Sequence, residues 1–219
     1  MVSITLPDDS IRTYNKPISG ADIAKDIGPG LARAAIAVRV NDEVWDLKRT
    51  ILNDSRVALI TLKDDDETVF DLLRHDTAHI MAEAVQELYP DTQVTIGPTI
   101  QDGFYYDVYL EESLTPEDLE KIERSMRRKV SEKLVFERTE VPIGDAIERF
   151  RVMSQDFKVE LLNDLKSRGT TAVMDIEDDK LVGENIDTVS LYKTGEFLDL
   201  CRGPHINNTG EVQPDAFKL

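Results

Sequence analysis

The sequence predicts an α+β protein in two parts: a small mixed sheet crossed by one helix over residues 1–62, then a larger unit over 63–219. In the second, an antiparallel or mixed sheet packs on helices. Three observations carry this expectation. Short alternating strands separated by turn signals fill the first 62 residues. Helical periodicity takes over near residue 68. The charge also changes between them: Met1 to Leu62 holds eight Lys or Arg and eight Asp or Glu, so the whole formal charge of −17 falls after Leu62. The polar run Lys63-Asp-Asp-Asp-Glu67 marks the boundary.

In the first part, Val2–Leu6 alternates, meets the turn residues Pro7-Asp8-Asp9-Ser10, and continues as Ile11–Tyr14, which is a hairpin. Ser19-Gly20-Ala21-Asp22 starts a short helix ending near Gly28-Pro29-Gly30. Ala35–Val40 and Glu43–Leu47 form a second hairpin across Asn41-Asp42, and Val57–Leu62 adds a last strand. That order is a β-grasp (ubiquitin-like) arrangement. It contains no histidine, cysteine or phosphate-loop signature, so it reads as a binding or positioning module without chemistry.

In the second part, Val69, Leu72, Leu73, Ile80, Ala84 and Leu88 line one side of a helix over 68–88 that Pro90 stops. Val94–Ile100 and Phe104–Leu110 read as a hairpin turning at Gln101-Asp102-Gly103. Thr115-Pro116-Glu117-Asp118 opens a helix running to about Lys133. A strand over 135–141, helices over 144–152 and 159–167, and strands over 171–175 and 189–192 complete the unit, followed by Glu196–Leu200. The chain then runs into Cys201-Arg-Gly-Pro-His205.

The longest apolar run, Ala34–Val38, is far short of the roughly 20 residues that span a bilayer. With a single cysteine and no leader pattern at Met1, the chain reads as cytoplasmic, with no membrane partner. An acidic chain is poorly suited to holding nucleic acid alone. The basic cluster Arg124, Arg127, Arg128, Lys129 and Lys133 is open to two readings, a phosphate contact or a face balanced by Glu120, Glu123 and Glu132.

Every histidine and cysteine in the chain falls into two equally spaced pairs. His75 and His79 lie one turn apart on the strongest helix. Cys201 and His205 have the same spacing, but Gly203-Pro204 between them dictates a loop. If the pairs meet, they make either a His₃Cys tetrahedral zinc site or a metal-free pocket using histidine for proton transfer and water positioning. Asp199, two before Cys201, faces the same side on an extended strand. Lys158, after Phe157 and before an apolar run, is a candidate buried cation. A G-x-S-x-G elbow is absent, and Cys201 is a candidate nucleophile that the spacing does not support.

The segments His75-Asp-Thr-Ala-His79, Ile96-Gly-Pro-Thr-Ile-Gln-Asp-Gly-Phe-Tyr-Tyr-Asp107 and Asp199-Leu-Cys-Arg-Gly-Pro-His205, in that order, resemble the editing domain of bacterial threonyl-tRNA synthetases. The first part, with Asp26-Ile-Gly-Pro-Gly-Leu-Ala32, resembles the TGS module that precedes it in that family. The resemblance covers the whole chain. It implies a TGS-like domain at 1–62 and an editing domain at 63–219 that hydrolyses serine from mischarged threonine tRNA.

Carried over by position, the family's catalytic residues fall on His75, His79, Lys158, Asp199, Cys201 and His205. Gly97, Tyr105, Tyr106 and Asp107 are expected to wall the substrate pocket. The resemblance favours a metal-free site over zinc at His75, His79, Cys201 and His205, and places ATP, magnesium and zinc in an aminoacylation core outside this sequence. It implies the serine-bearing 3′ end of threonine tRNA and the remainder of the synthetase as partners, with a monomeric fragment from a homodimeric parent. The alternatives are a non-catalytic tRNA-positioning or regulatory module and a free-standing trans-editing deacylase.

Overall fold

The computed structural model describes residues 1–64, 67–168 and 187–219. Its first part is a five-stranded sheet in the order β2-β1-β7-β4-β5, built from β1 (Val2–Thr5), β2 (Ile11–Tyr14), β4 (Ala35–Val40), β5 (Glu43–Asp46) and β7 (Ser55–Thr61). Only β1 and β7 pair in parallel. A small ladder joins β3 (Ile18–Ser19) to β6 (Thr50–Ile51). The helix α1 (Gly20–Ile27) is capped by Ser19, whose hydroxyl accepts from the Asp22 amide. Its apolar face, Ile23 and Ala24, packs with Ile4, Val38, Ile51 and Val57. A second short helix, α2 (Pro29–Ala34), follows where only an ending was expected. Pro29 sits at its first turn, where a missing N–H costs nothing, so the same residue that stops one helix starts the next.

The long helix α3 (Glu67–Leu88) organises the second part by burying two faces. Val69, Leu72, Ile80, Ala84 and Val85 pack on Ile122, Met126 and Val130 of α4 (Pro116–Glu132), and Ile36, Ala37 and Ile60 of the first sheet join that core. Ala78 and Ala82 pack on Val94, Tyr106 and Phe197, so these small residues admit neighbouring side chains rather than leaving open room. The capping box of Thr115 with Asp118 starts α4 at the expected proline.

The expected 94–110 hairpin is broken into two short ladders. β9 (Thr99–Ile100) pairs with β10 (Gly103–Phe104) near the turn, and β8 (Gln93–Val94) pairs with β11 (Val108–Tyr109) at the base. Between them lies Pro98, which has no N–H to give a ladder. There Gly97 lies so close to Tyr106 that a Cβ would fall 2.2 Å from its ring. Gln155 fixes the base of the hairpin, accepting from the Val94 amide and donating to the Thr92 carbonyl, both at 3.0 Å.

A three-stranded antiparallel sheet, β12 (Glu137–Pro142), β13 (Thr188–Thr194) and β14 (Phe197–Leu200), completes the fold. Helices α5 (Ile143–Val152) and α6 (Asp156–Arg168) cover it, with Phe150, Leu162, Val189 and Leu191 at the centre of their contact. The strand expected at 171–175 lies outside the described residues. Four members of the basic cluster on α4 are paired: Arg124 with Glu120, Arg127 with Glu123, Arg128 with Glu87 and Glu132, and buried Lys129 with Glu83 and Glu87. These pairs fit the balanced reading of that cluster.

Phe150 is fully buried, so Phe150→Ala removes a ring from a packed core. Urea unfolding of the variant is expected to show a loss of about 3–5 kcal/mol. A loss below ~1 kcal/mol would contradict the placement of Phe150 in the α5–α6 core.

Candidate active site

Three elements converge on one cluster. The helical spacing of α3 puts His75 and His79 on one side, with ring centroids 4.7 Å apart. The end of β14 and the irregular segment after it bring Asp199, Cys201 and His205 against that side. The His205 ring lies 4.7 Å from His75 and 4.5 Å from His79. Gly203 has φ of +73°, and residues 201–205 form a loop rather than a helix, as Gly203-Pro204 predicted. The third contribution is Lys158 from α6, only 1% exposed.

Two hydrogen-bonded networks meet at the cluster. In the first, the Cys201 sulfur lies 3.1 Å from His75 Nε2 and 3.3 Å from His205 Nε2, and accepts from the Gly203 amide at 3.3 Å. His205 Nδ1 bonds Asp76 Oδ1, while the other Asp76 oxygen accepts from the Ile206 amide at 3.0 Å. Thiol, imidazole and carboxylate therefore stand in line. In the second, Asp199 accepts from Lys158 Nζ at 2.5 Å, from the Tyr106 hydroxyl at 2.5 Å and from the Leu200 amide at 2.8 Å, and lies 3.5 Å from His79 Nδ1. Lys158 also donates to the Thr95 carbonyl and lies 3.4 Å from the Tyr106 oxygen.

Burial and charge compete at each group. Burial opposes ionisation of Cys201, but the His205 and His79 rings outweigh it and bring the thiol down to about 6. Burial raises Asp76 to about 7, against the pull of His75 and the Ile206 amide. For Asp199 burial is again the largest effect and is overcome, because Lys158 and His79 hold its carboxyl below the usual value. Burial and neighbouring His205 push His79 down, so it favours the neutral, proton-accepting form. Tyr106 is driven well above its ordinary value by burial and by Asp199, so it stays a donor.

All six catalytic candidates thus come together: His75, His79, Lys158, Asp199, Cys201 and His205. The expected pocket wall divides. Tyr106 is buried beside Asp199, and Gly97 is needed for Tyr106 to fit. Tyr105 is 45% exposed, and exposed Asp107 serves the hairpin through its backbone, accepting from Thr95 and donating to Ile96. Neither has a described contact with the cluster.

Sequence reasoning passed over Asp76 although it sits between the two helical histidines. The available signal was an acid one residue from His75 in a stretch running into the buried Ala78–Ile80 segment. The four donor atoms of His75, His79, Cys201 and His205 lie within 4.8 Å of one another, the only metal-competent group of its kind found among the described residues. Three imidazoles and a thiolate are the donor types that suit tetrahedral zinc.

Residues 2–61 match the TGS domain, and residues 189–219 match the "Threonyl and Alanyl tRNA synthetase second additional domain". The whole chain is 46% identical to threonine–tRNA ligases of Granulibacter bethesdensis and Gluconacetobacter diazotrophicus and 45% identical to that of Acidiphilium cryptum. Over its whole length the chain is similar to part of these threonine–tRNA ligases. The chain spans 31% of the length of each of those relatives. The second match begins on β13 and contains Asp199, Cys201 and His205, while α3, with the other two histidines, lies outside the matched span.

Because the thiol is lowered, the Cys201 thiolate is present above about pH 6 and is lost as pH falls through that value. Alkylation of chelator-treated protein by iodoacetamide is expected to rise with pH around a midpoint near 6. His205→Ala should move the midpoint upward. An unshifted midpoint near the ordinary thiol value of about 8.5 would contradict the described geometry.

Proposed function

We propose that this chain is the proofreading part of a threonine–tRNA ligase, hydrolysing serine from mischarged threonine tRNA by attack of water on the aminoacyl ester. The observation that carries the reading is the meeting of three imidazoles around one half-buried thiol, beside a lysine–aspartate pair held out of water. Ester hydrolysis needs a positioned water, a proton acceptor and stabilisation of the oxyanion. On this reading His75 and neutral His79 position the water and take its proton. Cys201 and His205 shape the pocket.

The burial of Asp199 and Lys158 bears on their roles. Both are closed off from solvent and satisfied by protein partners. The reading therefore gives Asp199 the task of orienting His79, and Lys158 that of holding Asp199, rather than direct contact with the serine ammonium or the ester carbonyl. The seryl end would enter by a cleft of about 280 Å³ lined by His75, Thr99, Gly203, Pro204, Val44 and Leu72. Discrimination against threonine would rest on a clash with its extra methyl. The partners are the 3′ end of the tRNA and the remainder of the ligase, which supplies ATP-dependent aminoacylation in the cytoplasm.

On this reading the site works without a metal; the same donor set would suit zinc at His75, His79, Cys201 and His205, with Asp76 holding the outer nitrogen of His205. The in-line order of Cys201, His205 and Asp76 supports a second reading, in which the thiolate attacks the ester and a seryl thioester precedes hydrolysis.

One assay separates these readings. The chain should release serine from seryl-tRNA specific for threonine while sparing threonyl-tRNA. The chain should be unaffected by chelator, and His79→Ala should be slower by about 10²–10⁴-fold. Acid-quenched single turnovers should contain no seryl-protein adduct; such an adduct would establish the thiolate route. Loss of activity with chelator, restored by zinc, would overturn the metal-free site. Absence of deacylation at high protein concentration would favour a non-catalytic positioning module.

A further inference from the structure

We infer that Asp46, at the end of β5 in the first part of the chain, is a positioning residue for the hydrolytic site, so that the TGS part helps to assemble the site rather than only preceding it. The inference rests on the hydrolytic reading above. Asp46 Oδ1 accepts from the His205 backbone amide at 3.0 Å, across 159 residues of sequence. Its other oxygen, Oδ2, accepts from the Tyr192 hydroxyl at 2.7 Å.

Tyr192 in turn contacts the turn that carries the cysteine and histidine. Its ring lies 4.2 Å from the His205 ring, and its hydroxyl lies 3.5 Å from the Arg202 carbonyl. Its hydroxyl also lies where a Cβ on Gly203 would come within 2.0 Å. Arg138 Nε, 3.8 Å from Asp46 Oδ2, supplies a compensating charge, and Val44 of the same strand lines the cleft beside His75. One carboxylate therefore holds the 201–205 segment at its backbone and at its tyrosine, from a strand that otherwise contributes no ionisable group to the cluster. Such supporting residues act by fixing the orientation of the groups that react.

The full chain with seryl-tRNA specific for threonine is the test system. Asp46→Ala is expected to lower kcat by about 10–100-fold with KM within about twofold of the parent. Asp46→Asn, which keeps one acceptor and the side chain's shape, should restore most of that loss. Tyr192→Phe, which keeps the ring and removes one bond, should fall between, and it decides the matter if Asp46→Ala does not fold. A purely structural role for Asp46 predicts a lower melting temperature with unchanged kcat per folded chain, and that result would overturn the inference, as would parent-like kcat in Asp46→Ala and Tyr192→Phe. An inactive parent chain would instead defeat the hydrolytic reading on which the inference stands.

Discussion

The Asp76 carboxylate is the contact on which the site depends. One of its oxygens takes the His205 ring and the other takes the Ile206 amide, so a helix near residue 76 and a loop near residue 205 are joined side chain to side chain and side chain to backbone. Asp76, His205 and Ile206 are all buried. A buried carboxylate without partners would be costly, and these two partners are what make its position tolerable. With His205 held, its other nitrogen reaches Cys201, and Cys201 reaches His75. Without Asp76, His205 would lose its side-chain hold on α3, and the contact of His75 with Cys201 would be left to join helix and loop.

The second network uses the same physics with a different outcome. Asp199 and Lys158 are both buried, yet each finds a charged partner and additional hydrogen bonds, from Tyr106 and Leu200 to the acid and from the lysine to Thr95. A buried pair of this kind adds little net stability, since desolvation cancels much of the attraction. What it secures is geometry: the acid is ionised, fixed and 3.5 Å from His79. The surface charge follows the opposite rule. The acids and bases of α4 pair with one another or with α3.

What could be read from the sequence, and what could not, divides by range. The helical pair His75 and His79 was legible because spacing on a helix is a local property, and the loop pair was legible because Gly203-Pro204 forbids a helix. The strands and helices with strong period or clear caps, α3 and α4 above all, followed for the same reason. Asp76 and Asp46 escaped because their partners lie 129 and 159 residues away, and nothing local distinguishes a buried acid from a surface one. Tyr105 and Tyr106 illustrate the limit within one motif: adjacent residues face opposite ways, and only the packing on Gly97 decides which enters the site. The broken hairpin and α2 were misjudged where proline acts in two senses, as breaker and as starter.

The most direct test is the tautomer of His205, read by long-range ¹H–¹⁵N correlation of the imidazole rings in the parent chain and in Asp76→Ala. Above about pH 7, where Asp76 is ionised and holds the ring, the proton of His205 should sit on Nδ1, protected from exchange and shifted far downfield, and that signal should vanish in the variant. A His205 ring protonated on Nε2 and exchanging freely in the parent chain would mean that the helix and the loop are not joined through this acid, and the site as described would not exist.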